Sequence, residues 1–454
     1  MSACSGLAGP DYERPQTPAK TDWSRSPAVQ VSTAETISPD WWTAFGDAEL
    51  NRLIDKAIAG NFDIKILANR IEVARAGIGL ERAGLLPRVN AALGIEYDKT
   101  TGLDSSTTYS AAGFANWEID IWGKVQKAVS AQEAQYEASE ADWRAGYLTL
   151  VSEVAGKYTL IRQFDEQMYQ QRASLEKNEQ ILQIFDAMYR EGLVPETRVL
   201  QQQAEVGRLK TELSEFQRLR DVAQNQLATL VGVPAGTLDV AVAPLTGSID
   251  LVEVPAQLPS DLLSRRPDII SAEYRVLQAH ELVGVARLAR LPTIGISARG
   301  GTAAAALSNV FKAWTFGLAP TIDIPILDPS TTARLEVSEA QKKVTEEEYR
   351  STVMRAFEEV ENAMVNLLRR KEQRRELELQ LAQLRVVSDQ VRAQLEEGLV
   401  SQLDVFEAER SLLSAEQALL ENYQLIVTDT VALYKALGGG WPREAVGYTA
   451  VASN

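Results

Sequence analysis

The sequence predicts an α+β membrane protein in which amphipathic β-hairpins join very long coiled-coil helices, the whole unit occurring twice. Three observations predict this class. Two proline-free stretches carry heptad-like spacing, two shorter stretches alternate apolar and polar residues, and several motifs recur at one near-constant offset.

The helices follow from proline placement. No proline lies between Pro87 and Pro195 or between Pro329 and Pro442. In the first gap Leu150, Val154, Ile161, Phe164 and Met168 keep helical spacing with Lys157 as the one polar slot. Leu175, Leu182, Phe185 and Tyr189 continue it after a phase shift. In the second gap Val353, Phe357, Val360, Met364 and Leu367 step by fours and threes, as do Leu377, Leu381, Leu384, Ser388, Val391 and Leu395. Such spacing predicts helices packed side by side as coiled coils. A helix from Lys124 to Arg190 would be about 100 Å long at 1.5 Å per residue, out of scale with a compact domain.

The strands follow from period two. Val89, Ala91, Leu93, Ile95 and Tyr97 alternate with Asn90, Ala92, Gly94 and Glu96. Across the polar segment 98–108, Tyr109, Ala111, Gly113, Ala115, Trp117, Ile119 and Ile121 alternate with Ser110, Ala112, Phe114, Asn116, Glu118 and Asp120. A second hairpin is predicted from Pro292–Arg299 and Trp314–Ile326, with Trp314, Phe316, Leu318, Ile322, Ile324 and Ile326 on one face.

The repeat ties these elements together. Asn61-Phe62-Asp63-Ile64 returns as Arg266-Pro267-Asp268-Ile269, 205 positions later. Leu86-Pro87 returns as Leu291-Pro292 at the same offset, Ile119-Asp120-Ile121 as Ile322-Asp323-Ile324 at 203, and Glu191-Gly192-Leu193-Val194 as Glu397-Gly398-Leu399-Val400 at 206. The predicted organisation is an N-terminus with an extended tether (1–46), a first repeat (47–234; hairpin about 88–121, helices about 123–231) and a linker (235–258). A second repeat (259–440; hairpin about 292–326, helices about 330–437) and a C-terminal tail (441–454) complete it.

Composition narrows the function. The 454 residues carry 46 Lys and Arg against 62 Asp and Glu, a net charge of -16 that excludes nucleic acid as a partner. Mean hydropathy is -0.16 and no apolar run of about 18 residues occurs, so β-strands and a lipid anchor are the open membrane routes. One Cys and one His leave no disulfide framework, no Cys-based metal site and no catalytic constellation; no phosphate-binding loop begins a helix. Neither an enzyme nor a metal-binding protein is predicted. The Cys, Cys4, follows small residues as in a bacterial lipoprotein cleavage box, while the charged and apolar parts of a signal peptide do not precede it, so the numbering is expected to start inside that signal. The rival reading is a free thiol in a tail. Pro10, Pro15, Pro18 and Pro27 then suit a spacer between anchor and body.

Four strands are too few to close a barrel, since bacterial outer-membrane barrels begin at about eight. An open sheet edge cannot persist in lipid, so several chains must pool their strands. Tyr97, Tyr109, Trp117, Trp122 and Trp314 stand where strand ends would meet the headgroups.

The double repeat, the segment Leu263-Ser264-Arg265-Arg266-Pro267-Asp268-Ile269, the strand end Trp117-Glu118-Ile119-Asp120-Ile121-Trp122-Gly123 and the two Gly-Leu-Val turns together resemble the TolC family of outer-membrane efflux factors. Cys4 points to its lipoprotein branch, which serves multidrug or metal efflux. The resemblance implies a homotrimer with a twelve-stranded β-barrel continued by a long α-helical barrel in the periplasm. It also implies contact with outer-membrane lipid, a periplasmic adaptor and an inner-membrane pump, with no cofactor beyond a covalent lipid on Cys4. An exit duct for secreted proteins, as in a type I system, keeps the fold and changes the cargo. A soluble coiled-coil scaffold would explain the helices and not the paired hairpins.

Two sites are predicted on this basis. Gly192, Leu193 and Val194, and Gly398, Leu399 and Val400, form turns where long helices reverse. They cap those helices in any case, and exposed apolar residues at a tip favour a partner, by resemblance the adaptor. Asp404 and Glu407 lie three apart on one helix face, where the resemblance puts the constriction of the periplasmic mouth; the plain alternative is a solvated helix face. The position matching Asp404 in the first repeat is Arg198. Arg265-Arg266-Pro267-Asp268 reads as a helix start, and the cluster Arg369-Arg370-Lys371 with Arg374-Arg375 as a salt-bridged face.

Overall fold

A computed structural model describes residues 9–18, 20, 23–24, 37–99, 101–102, 104–254 and 265–441. Its main elements are α1 (Ala48–Gly60), α2 (Phe62–Arg82), β1 (Arg88–Asp98), β2 (Ser106–Ile119), α3 (Lys124–Arg190), α4 (Glu196–Val231), α5 (Pro267–Leu288), β3 (Thr293–Ala304), β4 (Thr315–Asp323), α6 (Pro329–Glu396) and α7 (Gln402–Ala436). The sequence α2, hairpin, long helix, shorter helix thus recurs as α5, hairpin, long helix, shorter helix. Cys4, Leu263, Ser264 and the tail beyond Trp441 lie outside the described residues. The chain divides into two compact units. One holds the described residues of 1–17, 69–142 and 268–352; the other holds those of 18–68, 143–267 and 353–454.

In the first unit the strands form one antiparallel sheet in the order β1-β2-β3-β4. The hairpins meet through β2 and β3, with Trp117 opposite Ile296 and Tyr109 opposite Ala304. Strand ends differ from the sequence expectation. β3 runs to Ala304, five residues past Arg299, because Gly300 and Gly301 pair with both neighbours. β4 stops at Asp323, so Ile324 and Ile326 are not strand residues; Pro325 has no amide to donate and restrains the residue before it. Pro320 is tolerated within β4 because that strand is an edge. β2 stops at Ile119, and Trp122 instead donates from Nε1 to the Pro292 carbonyl at 2.6 Å.

Residues 9–16 are not a free tether. Arg14 forms a two-point ion pair with Glu273 of α5, Tyr12 packs edge-on against His280, and the Gln16 carbonyl accepts from Arg350 Nε at 3.1 Å. Burial pushes the Tyr12 hydroxyl up to about 12. Side chains that find partners on the helices offset the freedom that a proline-rich spacer would keep.

The second unit has an aromatic core. Residues Trp41–Phe45 form a 3-10 helix, and Trp41 stacks on Tyr434 of α7 with ring centres 4.7 Å apart. The end of the expected tether is therefore core. Most heptad residues face inward as spaced, with Val154, Ile161, Val353 and Val360 fully buried, whereas Tyr189 beside the first reversal is exposed. Polar pairs punctuate the α3–α4 seam, with Gln202 donating to the Asn178 carbonyl at 2.8 Å and Gln171 to Glu212 at 2.9 Å. Buried amides of this kind penalise any register that leaves them unpaired.

Equivalent clasps close the two repeats. Asn61, before α2, donates from Nδ2 to the Leu230 carbonyl at the end of α4 at 2.9 Å. Arg266, before α5, donates from Nη1 to the Ala436 carbonyl at the end of α7 at 2.9 Å and from Nη2 to Glu359 at 2.7 Å. Each helix end carries the same backbone pair, from Gly232 and Val233 in one and Gly438 and Gly439 in the other. A side chain on Gly438 would lie 3.2 Å from the Arg265 carbonyl, so the clasp needs glycine there. Arg265-Arg266-Pro267-Asp268 begins a helix as expected, and it also ties down the last helix.

Residues 238–254, within the expected linker (235–258), lie on α3 and α4. Leu238, Val240, Leu245, Ile249 and Val254 are buried. Asp165, fully buried, accepts from Arg220 Nε at 2.6 Å and Arg162 Nη1 at 3.2 Å. The arginines donate onward to the Val240 and Ala241 carbonyls, and Glu166 accepts from the Leu245 and Thr246 amides, each at 2.9 Å. Removing one partner of such a buried ion cluster strands the others. Asp165→Ala is expected to cost about 3–5 kcal/mol. Thermal unfolding and protease sensitivity within 238–254 would register it, and an unchanged melting temperature would show that the cluster does not hold the segment.

Candidate functional site

Two surfaces stand out, one in each unit. The register of the sheet sorts its side chains onto two faces. One face carries Val89, Leu93, Ile95, Tyr97, Tyr109, Trp117, Ile119, Ile294, Ile296, Phe316, Leu318 and Ile322, with glycine, alanine, threonine and Pro320 between them and no charged residue. The other carries Arg88, Asn90, Glu96, Asp98, Ser106, Asn116, Glu118, Ser297, Arg299, Thr321 and Asp323. The apolar face is open: Leu93 is 84% exposed and Phe316 82%. Toward the hairpin loops the two central strands are covered, where Thr302 donates to the Val310 carbonyl and Ala111, Thr302 and Val310 are buried, while Ile95 and Tyr97 of β1 stay exposed. β1 and β4 are exposed along their whole lengths and pair on one side only among the described residues.

Aromatics gather at both ends of this sheet. Phe311, Trp314 and Phe316 stack in series with ring centres 6.2 Å apart, at the hairpin-loop end that also holds Tyr97 and Tyr109. Trp117 is at the helix end, donating from Nε1 to the Leu85 carbonyl at 2.9 Å. A tryptophan held by a backbone bond with its ring on an apolar face suits the boundary between lipid tail and headgroup.

The second surface is the pair of helix reversals. Gly192 has φ 74° and Gly398 φ 73°, left-handed values that a Cβ disfavours. Around each, the glycine amide reaches back three residues (Gly192 to Tyr189, Gly398 to Leu395) and the next amide five (Leu193 to Met188, Leu399 to Gln394), all at 2.9–3.0 Å. The sequence identity of the turns is thus an identity of hydrogen bonding. Leu193 is 69% exposed and Leu399 75%, whereas Val194 and Val400 are half-buried. The exposed apolar groups at the turns are the leucines rather than the valines. No hydrogen bond or ion pair joins the two turns among the described residues.

Asp404 has a structural task that spacing alone did not show. Its Oδ2 accepts from the Ser401 amide at 2.7 Å and from Ser401 Oγ at 2.6 Å, completing a reciprocal cap at the start of α7. The Ser401 hydrogen bonds hold this carboxyl below its ordinary range, so Asp404 stays charged at neutral pH. Glu407 is exposed and makes no ion pair among the described residues. Arg198 is half-buried in the first turn of α4. Thus the acids stand at one of the two reversals and Arg198 at the other. No cluster of three or more potential metal ligands occurs among the described residues. No helix there is long and apolar enough to cross a membrane.

Comparison with known proteins agrees with this arrangement. The family model for outer membrane efflux proteins matches residues 53–233 and 258–439, one segment for each repeat. The cation efflux system protein CusC of Escherichia coli O6:H1 is 31% identical over 457 residues, covering 97% of this chain and 96% of that protein. The toluene efflux pump outer membrane protein TtgC of Pseudomonas putida is 31% identical over 464 residues, covering 97% and 93%. The open-state MtrE outer membrane channel of Neisseria gonorrhoeae superposes with a TM-score of 0.84 at 28% identity, covering 96% of this chain and 99% of that one. Since both repeats match and the likeness runs almost end to end, the chain belongs to the outer membrane efflux protein family and is an efflux channel of the outer membrane.

Proposed function

We propose that three copies pool their sheets into one twelve-stranded β-barrel continued by an α-helical barrel. This homotrimer passively conducts drugs or other small toxic solutes from an inner-membrane pump and its periplasmic adaptor to the outside. The observation that carries the reading is the uncharged sheet face flanked by two one-sided edge strands. In water that face would cost apolar burial, and in lipid the edges would leave backbone groups unpaired. Joining the β1 edge of one copy to the β4 edge of the next removes both costs, and head-to-tail contacts of this kind close a ring.

The helices leading from those edges support the same seam. α2 runs into β1 and presents exposed Val73 and Leu80; α6 leaves β4 and presents exposed Val337 and Val344. Both pairs are seven residues apart, the spacing of a coiled-coil stripe. Val73 lies fifteen residues before Arg88 and Val337 fourteen after Asp323, at matching heights along their helices.

The duct needs no catalytic step and no cofactor. A covalent lipid on Cys4 would hold the chain at the membrane, five residues ahead of Gly9. Leu193 and Leu399 would meet the adaptor. Asp404 and Glu407, each present three times in the trimer, would ring the periplasmic mouth with negative charge that attracts cations. Relatives named for cations and for toluene share this scaffold at equal identity, which suits a duct that leaves selection to its pump.

Two measurements test the reading. Oxidising a Val73→Cys, Val337→Cys double variant in detergent is expected to give covalent trimers, and a product that stays monomeric would rule out the seam. In planar bilayers, Asp404→Asn keeps an oxygen that can accept from the Ser401 amide while deleting the charge. It is expected to weaken block by hexamminecobalt added on the periplasmic side by about tenfold, the effect of removing unit charges several ångströms from the ion. Unchanged block would remove Asp404 from the gate.

A further inference from the structure

We infer that Arg299 and Phe114 form an anion-binding constriction inside the barrel, an inference that rests on the barrel reading above. The register sets Arg299 of β3 directly between Phe114 of β2 and Gly317 of β4, on the charged face of the sheet. If the apolar face meets lipid, this face lines the water-filled lumen. An arginine turned to lipid at mid-membrane would cost about 2–4 kcal/mol, so the strand alternation itself assigns it to the lumen.

Its neighbours make it prominent. The Arg299 side chain lies across Gly317, where an added Cβ would stand 3.4 Å from Nε and 3.5 Å from Cγ. Phe114, on the other side, is the one aromatic among the described strand residues of the charged face. Beyond them the floor is small: Ala92, Ala112, Gly301 and Thr315 share the next row, and Gly94, Ser110 and Ala303 the one after. Two large side chains therefore rise from a floor of small ones. Arg299 is exposed and, among the described residues, has no carboxylate partner.

Three copies place three guanidinium groups and three phenyl rings around one axis. A narrow duct with low-dielectric walls focuses such charge, and guanidinium forks grip carboxylate or phosphate oxygens in pairs. The ligand class is a small polyanion or an aromatic carboxylate, the ring of the latter resting on Phe114. The acids of the loop end of the same face, Glu96 and Asp98, carry the opposite sign.

Single-channel recording in planar bilayers tests this, with inorganic triphosphate added on the hairpin-loop side. The wild-type channel is expected to show voltage-dependent block. Arg299→Gln is expected to raise the blocking concentration by roughly tenfold and lower the chloride-to-potassium permeability ratio, as loss of unit charges within several ångströms dictates. Arg299→Lys, which keeps the charge, is expected to retain the block. Channels of Arg299→Gln that open normally and keep wild-type block would overturn the inference while leaving the barrel intact. A wild-type protein that stays monomeric in detergent and forms no channels would overturn the barrel reading and this inference with it.

Discussion

β1 and β4 each offer one row of backbone amides and carbonyls that nothing in the described chain satisfies, beside a sheet face with no charge on it. Hydrocarbon supplies neither donors nor acceptors, so an edge of this kind is affordable in a bilayer only when another strand covers it. The rest of the molecule is consistent with that requirement. The helices that enter and leave the edge strands carry apolar stripes of equal spacing, and the aromatics collect at the two ends of the strands. The charged side chains of the strands all fall on the opposite face.

The helical part solves a different problem, which is how to hold long helices in register. Apolar heptads give the seam and buried amides such as Gln171, Asn178 and Gln202 give the alignment, because a slipped register would leave them without partners. The Asn61 and Arg266 clasps then join the end of each repeat to its beginning. That two different side chains do the same work at equivalent places shows that the repeat preserves a hydrogen bond to a helix end rather than a residue type. The charged anchoring of 238–254 through Asp165 and Glu166 has no counterpart in heptad spacing and belongs to the connection between repeats.

Much of this was legible in the sequence because it depends on periodicity. Period two located both hairpins, heptads located the long helices, and the repeated Glu-Gly-Leu-Val located both reversals. What failed was local. Pro325 ended β4 before Ile324, and glycines carried β3 to Ala304, since pairing with two neighbours outweighs the low strand preference of glycine. The proline-rich N-terminus read as a spacer, yet Tyr12 and Arg14 found partners more than 250 residues away along the chain, contacts that no local pattern announces.

The sequence by itself determined which residues share a face and which turns reverse a helix, because those follow from side-chain periods and from backbone angles open to glycine. Tertiary structure decided the pairing of β2 with β3, the burial of Asp165 among arginines, and the setting of Arg299 between Phe114 and Gly317. Each of these depends on which residues from separate segments come within hydrogen-bonding or packing distance. That distance is fixed only once the chain has closed on itself.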